Sequence, residues 1–267
     1  MTLPETSDPV LQARGLIKVH GSGRGERRIL DGVDLRVGAG ELVAIVGRSG
    51  CGKSTLLQIL GGLDRADAGT VAVVGRSVAG SPAPSERRLS ALRREEIGFV
   101  FQFFHLLAEL DGEANVLLPT TLPGADRGGA ARGRALIAQL GLSDVAGLRP
   151  HQLSGGEQQR FALARALVGD PSLVLADEPI GNLDVAAGEV VLDLLRGVAD
   201  QGRAVVMVTH QAEATARADR VLRLEDGVLA EAGAAGRGGR DDDQVHAAGE
   251  GGSARGRPID GRRSASG

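Results

Sequence analysis

The chain has no tryptophan, no tyrosine and only five phenylalanines in 267 residues. Aromatic platforms on which a strand of nucleobases could stack are therefore missing. Cysteine is nearly absent too. The single Cys51 excludes an internal disulfide framework and suits a reducing compartment. Charge of either sign is not in excess: the net is −3, from 31 basic and 34 acidic residues, so there is no global basic footprint for nucleic acid. No apolar run exceeds about five residues, far short of the ~20 a helix needs to cross a bilayer. The opening "MTLPETSDPV" lacks the basic start and apolar core of a signal peptide. What is present is an apolar fraction of 42% and enough length for one or two globular domains.

Strand-like runs at 10–19 ("VLQARGLIKV") and 28–37 ("RILDGVDLRV") flank a glycine-rich loop. "ELVAIVG" reads as a strand, and "KSTLLQILGGL" as a helix with Leu56, Leu57, Ile59 and Leu60 at helical spacing. "GTVAVVG" and "IGFVFQ" are expected strands, and "SERRLSALRREE" between them a solvated helix. From about 108 to 167 the pattern turns helical, interrupted by "LPTTLPGADRGGA". Then strand, helix, strand and a terminal hairpin, "DRVLRLEDGVLAE", complete the alternation expected of a mainly parallel α/β core. Residues 1–9 read as an extension. Residues 232–267, rich in Gly, Arg and Asp, read as a disordered tail, too poor in apolar surface to offset the entropy of ordering.

"GRSGCGKST" fits the pattern G-x-x-x-x-G-K-[ST] and lies between an expected strand and an expected helix. Gly47, Ser49, Gly50, Cys51, Gly52, Lys53, Ser54 and Thr55 make up this loop. Glycines let the backbone curl so that successive N–H groups point at phosphates, and the following helix N-terminus adds positive potential. Lys53 is expected to bridge the β- and γ-phosphates, and the Ser54 hydroxyl to ligate Mg²⁺. "SLVLADEP" delivers Asp177 and Glu178 at the C-terminal end of a strand, where open α/β sheets bind ligands. Asp177 is expected to hold Mg²⁺ and Glu178 to polarise the attacking water. A hundred residues past the loop, "QLSGGEQQR" offers Ser154, Gly155 and Gly156 as a second helix start suited to an anion. The same residues also read as an ordinary N-cap with Glu157 near the positive helix end.

In these motifs and their order, residues 10–231 resemble the nucleotide-binding subunit of ATP-binding cassette (ABC) transporters. The resemblance implies a P-loop NTPase core with a parallel sheet, an N-terminal antiparallel β subdomain and an inserted α-helical subdomain at about 108–167. It implies that Gln102 in "FVFQ" touches Mg²⁺ and the attacking water, that "GNLD" (181–184) is the D-loop, and that His210 in "MVTH" contacts the γ-phosphate. It implies a head-to-tail dimer, by expectation a homodimer, in which each ATP lies between one chain's P-loop and the other's Ser154, Gly155 and Gly156. A separate membrane permease, an exporter or extractor, is the expected partner, with no nucleic acid involved and the chain peripheral on the cytoplasmic face.

Where the family usually stacks an aromatic on adenine, this chain has His20, which has less area and more pH sensitivity. Cys51, near a helix N-terminus and Lys53, sits where a thiolate is favoured. Phe103, Phe104, Leu106 and Leu107 after Gln102 are either core or the lining of a groove for a partner's helix. "FVFQFFHLLAELDGEANVLLP", "RPHQLSGGEQQR" and "DEPIGNLD" resemble the branch serving lipoprotein release, macrolide or peptide efflux, and cell division. Ala114 and Ile180 depart from that branch, which usually has glutamate and threonine there. A soluble ABC-type ATPase acting on nucleic acid or ribosomes is the alternative, but such proteins carry two cassettes or long coiled-coil inserts. A P-loop kinase or GTPase fits less well with "LSGGEQQR", and a non-catalytic subunit less well with Lys53 and Glu178.

Overall fold

The computed structural model describes residues 8–21, 25–124 and 128–232. The expected disordered tail, apart from Ala232, lies outside the described residues, as do residues 1–7 of the expected extension.

β1 (Leu11–His20) and β2 (Arg27–Val37) lie antiparallel. β3 (Leu42–Val46) leads through the loop 47–52 into α1 (Lys53–Leu60), which buries Leu56, Leu57, Ile59 and Leu60, the stripe expected from their spacing. β4 (Ala68–Val73) and β5 (Arg76–Ala79) then join the first pair in an antiparallel sheet of order β2-β1-β4-β5. α2 (Glu86–Glu96) follows. Its charges are solvated as expected, but Leu89 and Leu92 form a narrow buried edge.

β6 (Ile97–Val100) ends two residues before Gln102, shorter than the expected "IGFVFQ" run. The helical insert begins at α3 (Gly112–Leu117), capped by the Asp111 carboxylate accepting from the Ala114 N–H at 2.7 Å. Residues 108–111 are not helical, because a side chain that caps a helix must stand outside it. α4 (Gly129–Gln139) and α5 (Gly155–Leu167) complete the insert. Phe161, Val116, Ile137, Leu142, Ala164 and Val168 give it a small core of its own.

β7 (Leu173–Asp177), α6 (Val185–Asp200), β8 (Ala204–Val208), the short α7 (Ala212–Thr215), β9 (Arg220–Glu225) and β10 (Val228–Glu231) close the chain. The second sheet runs β10-β9-β3-β8-β7-β6. Its pairs are parallel except β9–β10, the expected hairpin. β3, β7 and β8 are short apolar runs buried on both faces, as an internal parallel strand requires. Because these strands are parallel, their C-terminal ends lie on one edge of the sheet. Among the described residues, no helix is long and apolar enough to cross a membrane.

Candidate functional site

The loop after β3 is shaped by glycines that cannot be replaced without strain. Gly52 has φ 109°, and a Cβ there would lie 2.5 Å from Ile29 Cγ2. Gly50 has φ 74°. Only glycine takes such backbone readily. Lys53 is buried, and its Nζ donates to the carbonyls of Gly47 at 3.0 Å and Arg48 at 3.3 Å. Thr55 is half-buried in the first turn of α1. Cys51 is half-buried and free, its N–H bonded to Arg48 O at 3.2 Å.

The Ser54 hydroxyl donates to Asp177 Oδ1 at 3.0 Å, so the first turn of α1 meets the end of β7. Burial pushes the Asp177 carboxyl above its ordinary value. Ser54's hydrogen bond opposes that shift, the Glu178 charge adds to it, and Lys53 opposes it. A half-buried carboxylate bonded to a hydroxyl is a pair of hard oxygen donors, which suits Mg²⁺.

Glu178 is the first residue past β7 and has φ 44°, left-handed backbone on a side chain that disfavours it. Its N–H donates to Val208 O, and its carbonyl accepts from Gly181 N–H, both at 3.0 Å. Glu178 Oε1 lies 2.9 Å from His210 Nδ1. Its Oε2 is buried and has no hydrogen-bond partner among the described residues. His210 stands two residues past β8 in loop rather than in the strand expected there, with its side chain 63% exposed. Gln102 packs against Gly181, where a Cβ would come 3.0 Å from its Nε2, and its carbonyl accepts from Asn182 Nδ2 at 3.0 Å. The strand ends thus bring Lys53, Ser54, Gln102, Asp177, Glu178 and His210 to one edge.

Ser154 caps α5. Its Oγ accepts from Glu157 N–H at 3.3 Å and donates to Glu157 Oε2 at 2.8 Å, and the same oxygen accepts from the Ser154 N–H at 2.8 Å. The Ser154 backbone N–H, followed by its hydroxyl, holds the Glu157 carboxyl below its ordinary range. Gly155 and Gly156 pack on the D-loop side: a Cβ at Gly155 would stand 3.4 Å from Leu183 Cδ2, and one at Gly156 2.9 Å from Ala187 Cβ. The hydrogen bonds of Ser154 close within its own turn, and none reaches the loop after β3.

His20 ends β1 exposed, opposite Arg27 in register. The cavity of about 550 Å³ on the flank of the loop is bordered by Gly47–Cys51, Arg27, Arg28 and Arg223, not by His20. Phe103 is 68% exposed and Leu107 44% exposed, so these two are not core, whereas Leu106 packs against the helical core.

Sequence reasoning missed three tethers. Arg165 donates to Phe104 O at 2.9 Å and His105 O at 2.5 Å, pinning a turn in which both acceptors have positive φ. Gln159 Nε2 donates to Pro179 O at 2.6 Å. Asn182 holds Gln102 as described. The available signal was polarity inside an apolar stripe: Gln159 lies on one helical face with the buried Gly156 and Leu163, and Arg165 interrupts "FALARALV".

Comparison with known proteins shows the family. The family described as "ABC transporter" matches residues 30–181. The lipoprotein-releasing system ATP-binding protein LolD of Ruegeria sp. (strain TM1040) is 49% identical over 228 residues, spanning 84% of this chain and 99% of that one. The macrolide export ATP-binding/permease protein MacB 1/2 of Paracoccus denitrificans (strain Pd 1222) is 47% identical over 84% of this chain, which spans only 33% of that relative's length. Among solved structures, a dimeric post-hydrolysis state of the ATP-binding cassette MJ0796 bound to ADP and Pi has a TM-score of 0.74 and 35% identity, over 83% of this chain and 98% of that one. The chain belongs to the ABC transporter family, as one of its ATP-hydrolysing cassettes.

Proposed function

We propose that the chain binds MgATP, dimerises head to tail around it, and uses its hydrolysis to drive a separate transmembrane permease. The observation that carries this reading is the Glu178–His210 pair next in sequence to the Ser54–Asp177 contact.

Lys53 and the N–H groups of Gly50 to Thr55 bind the phosphates. Ser54, Asp177 and Gln102 would hold Mg²⁺, which when bound neutralises phosphate charge. Glu178 takes the proton of the attacking water, its carboxylate held in place by the Oε1 contact to His210. His210 keeps its second ring nitrogen for the γ-phosphate. Ser154, Gly155 and Gly156 grip the γ-phosphate bound to the partner chain, since their N–H groups form a helix start suited to an anion. Loss of that phosphate removes the charge both chains hold, and the dimer opens. His20 stacks on adenine, and its smaller ring relaxes the preference for adenine over other bases.

Relatives named for lipoprotein release, macrolide export and pyoverdine export support a permease that exports or extracts, with the cassette on the cytoplasmic face. The dimeric titles of the structural neighbours support two cassettes acting together. The test is Glu178→Gln. Turnover is expected to fall by about 10²-fold or more, the usual contribution of a general base, while ATP shifts the variant to a dimer on size exclusion. Normal hydrolysis, or a variant that stays monomeric with ATP, overturns the assignment.

A further inference from the structure

Gln159 is fully buried on α5, yet it is an amide where a leucine would fit the stripe. Its Nε2 donates to Pro179 O at 2.6 Å, and its Oε1 is buried with no hydrogen-bond partner among the described residues. Leaving a buried polar oxygen unmatched costs stability, so the side chain is a poor device for stability alone. What it holds is the residue after Glu178.

Glu178 keeps φ 44°, and a non-glycine residue stays in left-handed backbone only where its surroundings over-determine it. Two backbone hydrogen bonds fix Glu178 itself, to Val208 and from Gly181. Pro179 has no N–H and so cannot anchor itself as a donor. The Gln159 amide supplies the anchor through the Pro179 carbonyl.

We propose that Gln159 is a positioning residue for hydrolysis. It locks the Glu178–Pro179 segment so that the Glu178 carboxylate stays against His210. It also ties that segment to the helix whose N-cap is Ser154, so the carboxylate serving one nucleotide and the hydroxyl serving the partner's nucleotide belong to one unit. The inference rests on the role given above to Glu178.

The test is Gln159→Met, close in length and without a donor, in the full chain with MgATP. Gln159→Asn, one methylene too short to reach Pro179, serves as the second variant. Both are expected to lower kcat about tenfold, the scale of a lost hydrogen bond with its acceptor stranded, while KM for ATP and equilibrium ATP binding stay within about twofold. In a Glu178→Gln background, Gln159→Met is expected to bring no further loss in single-turnover rate, because it acts only through that carboxylate. Wild-type kcat in both Gln159 variants, beside an inactive Glu178→Gln, overturns the inference. So does an equal tenfold loss in the Glu178→Gln background, or a parallel loss of ATP binding. Unimpaired turnover by Glu178→Gln alone sinks the proposed function instead, and the two failures are thereby distinguished.

Discussion

Asp177 pays for its position in stability. Its carboxyl is held above the ordinary value of 3.8, chiefly by burial and also by Glu178 one residue on. A raised acid favours the folded state while neutral, and that contribution is lost as pH rises through the raised value. At pH 7 the half-buried carboxylate is therefore a liability that a bound cation would offset. Asp177→Asn is expected to raise the melting temperature at pH 7, by about 2–4 °C for each kcal/mol gained in a domain of this size, while losing ATP turnover. The gap to wild type should close as pH falls towards 3.8 and below. Calorimetry across pH checks this, and a destabilised variant at pH 7 contradicts it. At this scale the sequence was most legible where chemistry is local. "GRSGCGKST" shows its glycines and lysine in one short run, because a phosphate loop is built from consecutive residues. The left-handed backbone of Glu178 was not legible: nothing in "ADEPIG" separates it from an ordinary turn, and its strain is set by Val208, Gly181 and Gln159.

Among the elements, α5 does the most connecting. Its N-cap is Ser154, its middle reaches Pro179 through Gln159, and its last turns reach the Phe104 and His105 carbonyls through Arg165. Burial pushes the Arg165 guanidinium pKa down, and the two carbonyls satisfy its planar fork. Arg165→Lys keeps the charge but offers a point donor in place of a fork. It is expected to speed amide hydrogen exchange at 104–106 at least severalfold with ATP binding retained. Unchanged protection there would show that the turn holds itself. The alternation of strands and helices was readable from periodicity, including α1 and the β9–β10 hairpin. The end of β6 and the start of α3 were not, because both are decided by turns and caps. Nor were β5 and α7, which are too short to display a period. The order β2-β1-β4-β5 is likewise a long-range pairing that no single stretch encodes.

On the scale of the whole molecule, the proposed function gives the chain two half-sites. Ser154 bonds to Glu157 within its own turn, while Ser54 bonds to Asp177 and Glu178 to His210. Ser154→Asp separates cap from grip. Aspartate caps a helix as well as serine does, but it cannot donate to Glu157 as the serine hydroxyl does, and its charge repels a γ-phosphate. The variant is expected to fold with a modestly lowered melting temperature, to stay monomeric with MgATP, and to hydrolyse slowly. For wild type, turnover per chain should fall on dilution below the dimer's dissociation constant. Sedimentation with ATP and a dilution series of rates check both, and a rate indifferent to dilution would mean that one chain suffices.

Phe103 keeps most of its ring in water on a turn whose next two carbonyls are bolted to α5. From Arg165 to Ser154 that helix runs eleven residues, a stiff strut of about 16 Å at 1.5 Å per residue. A load on that ring would therefore have, through Arg165, a direct rigid route to the serine tip.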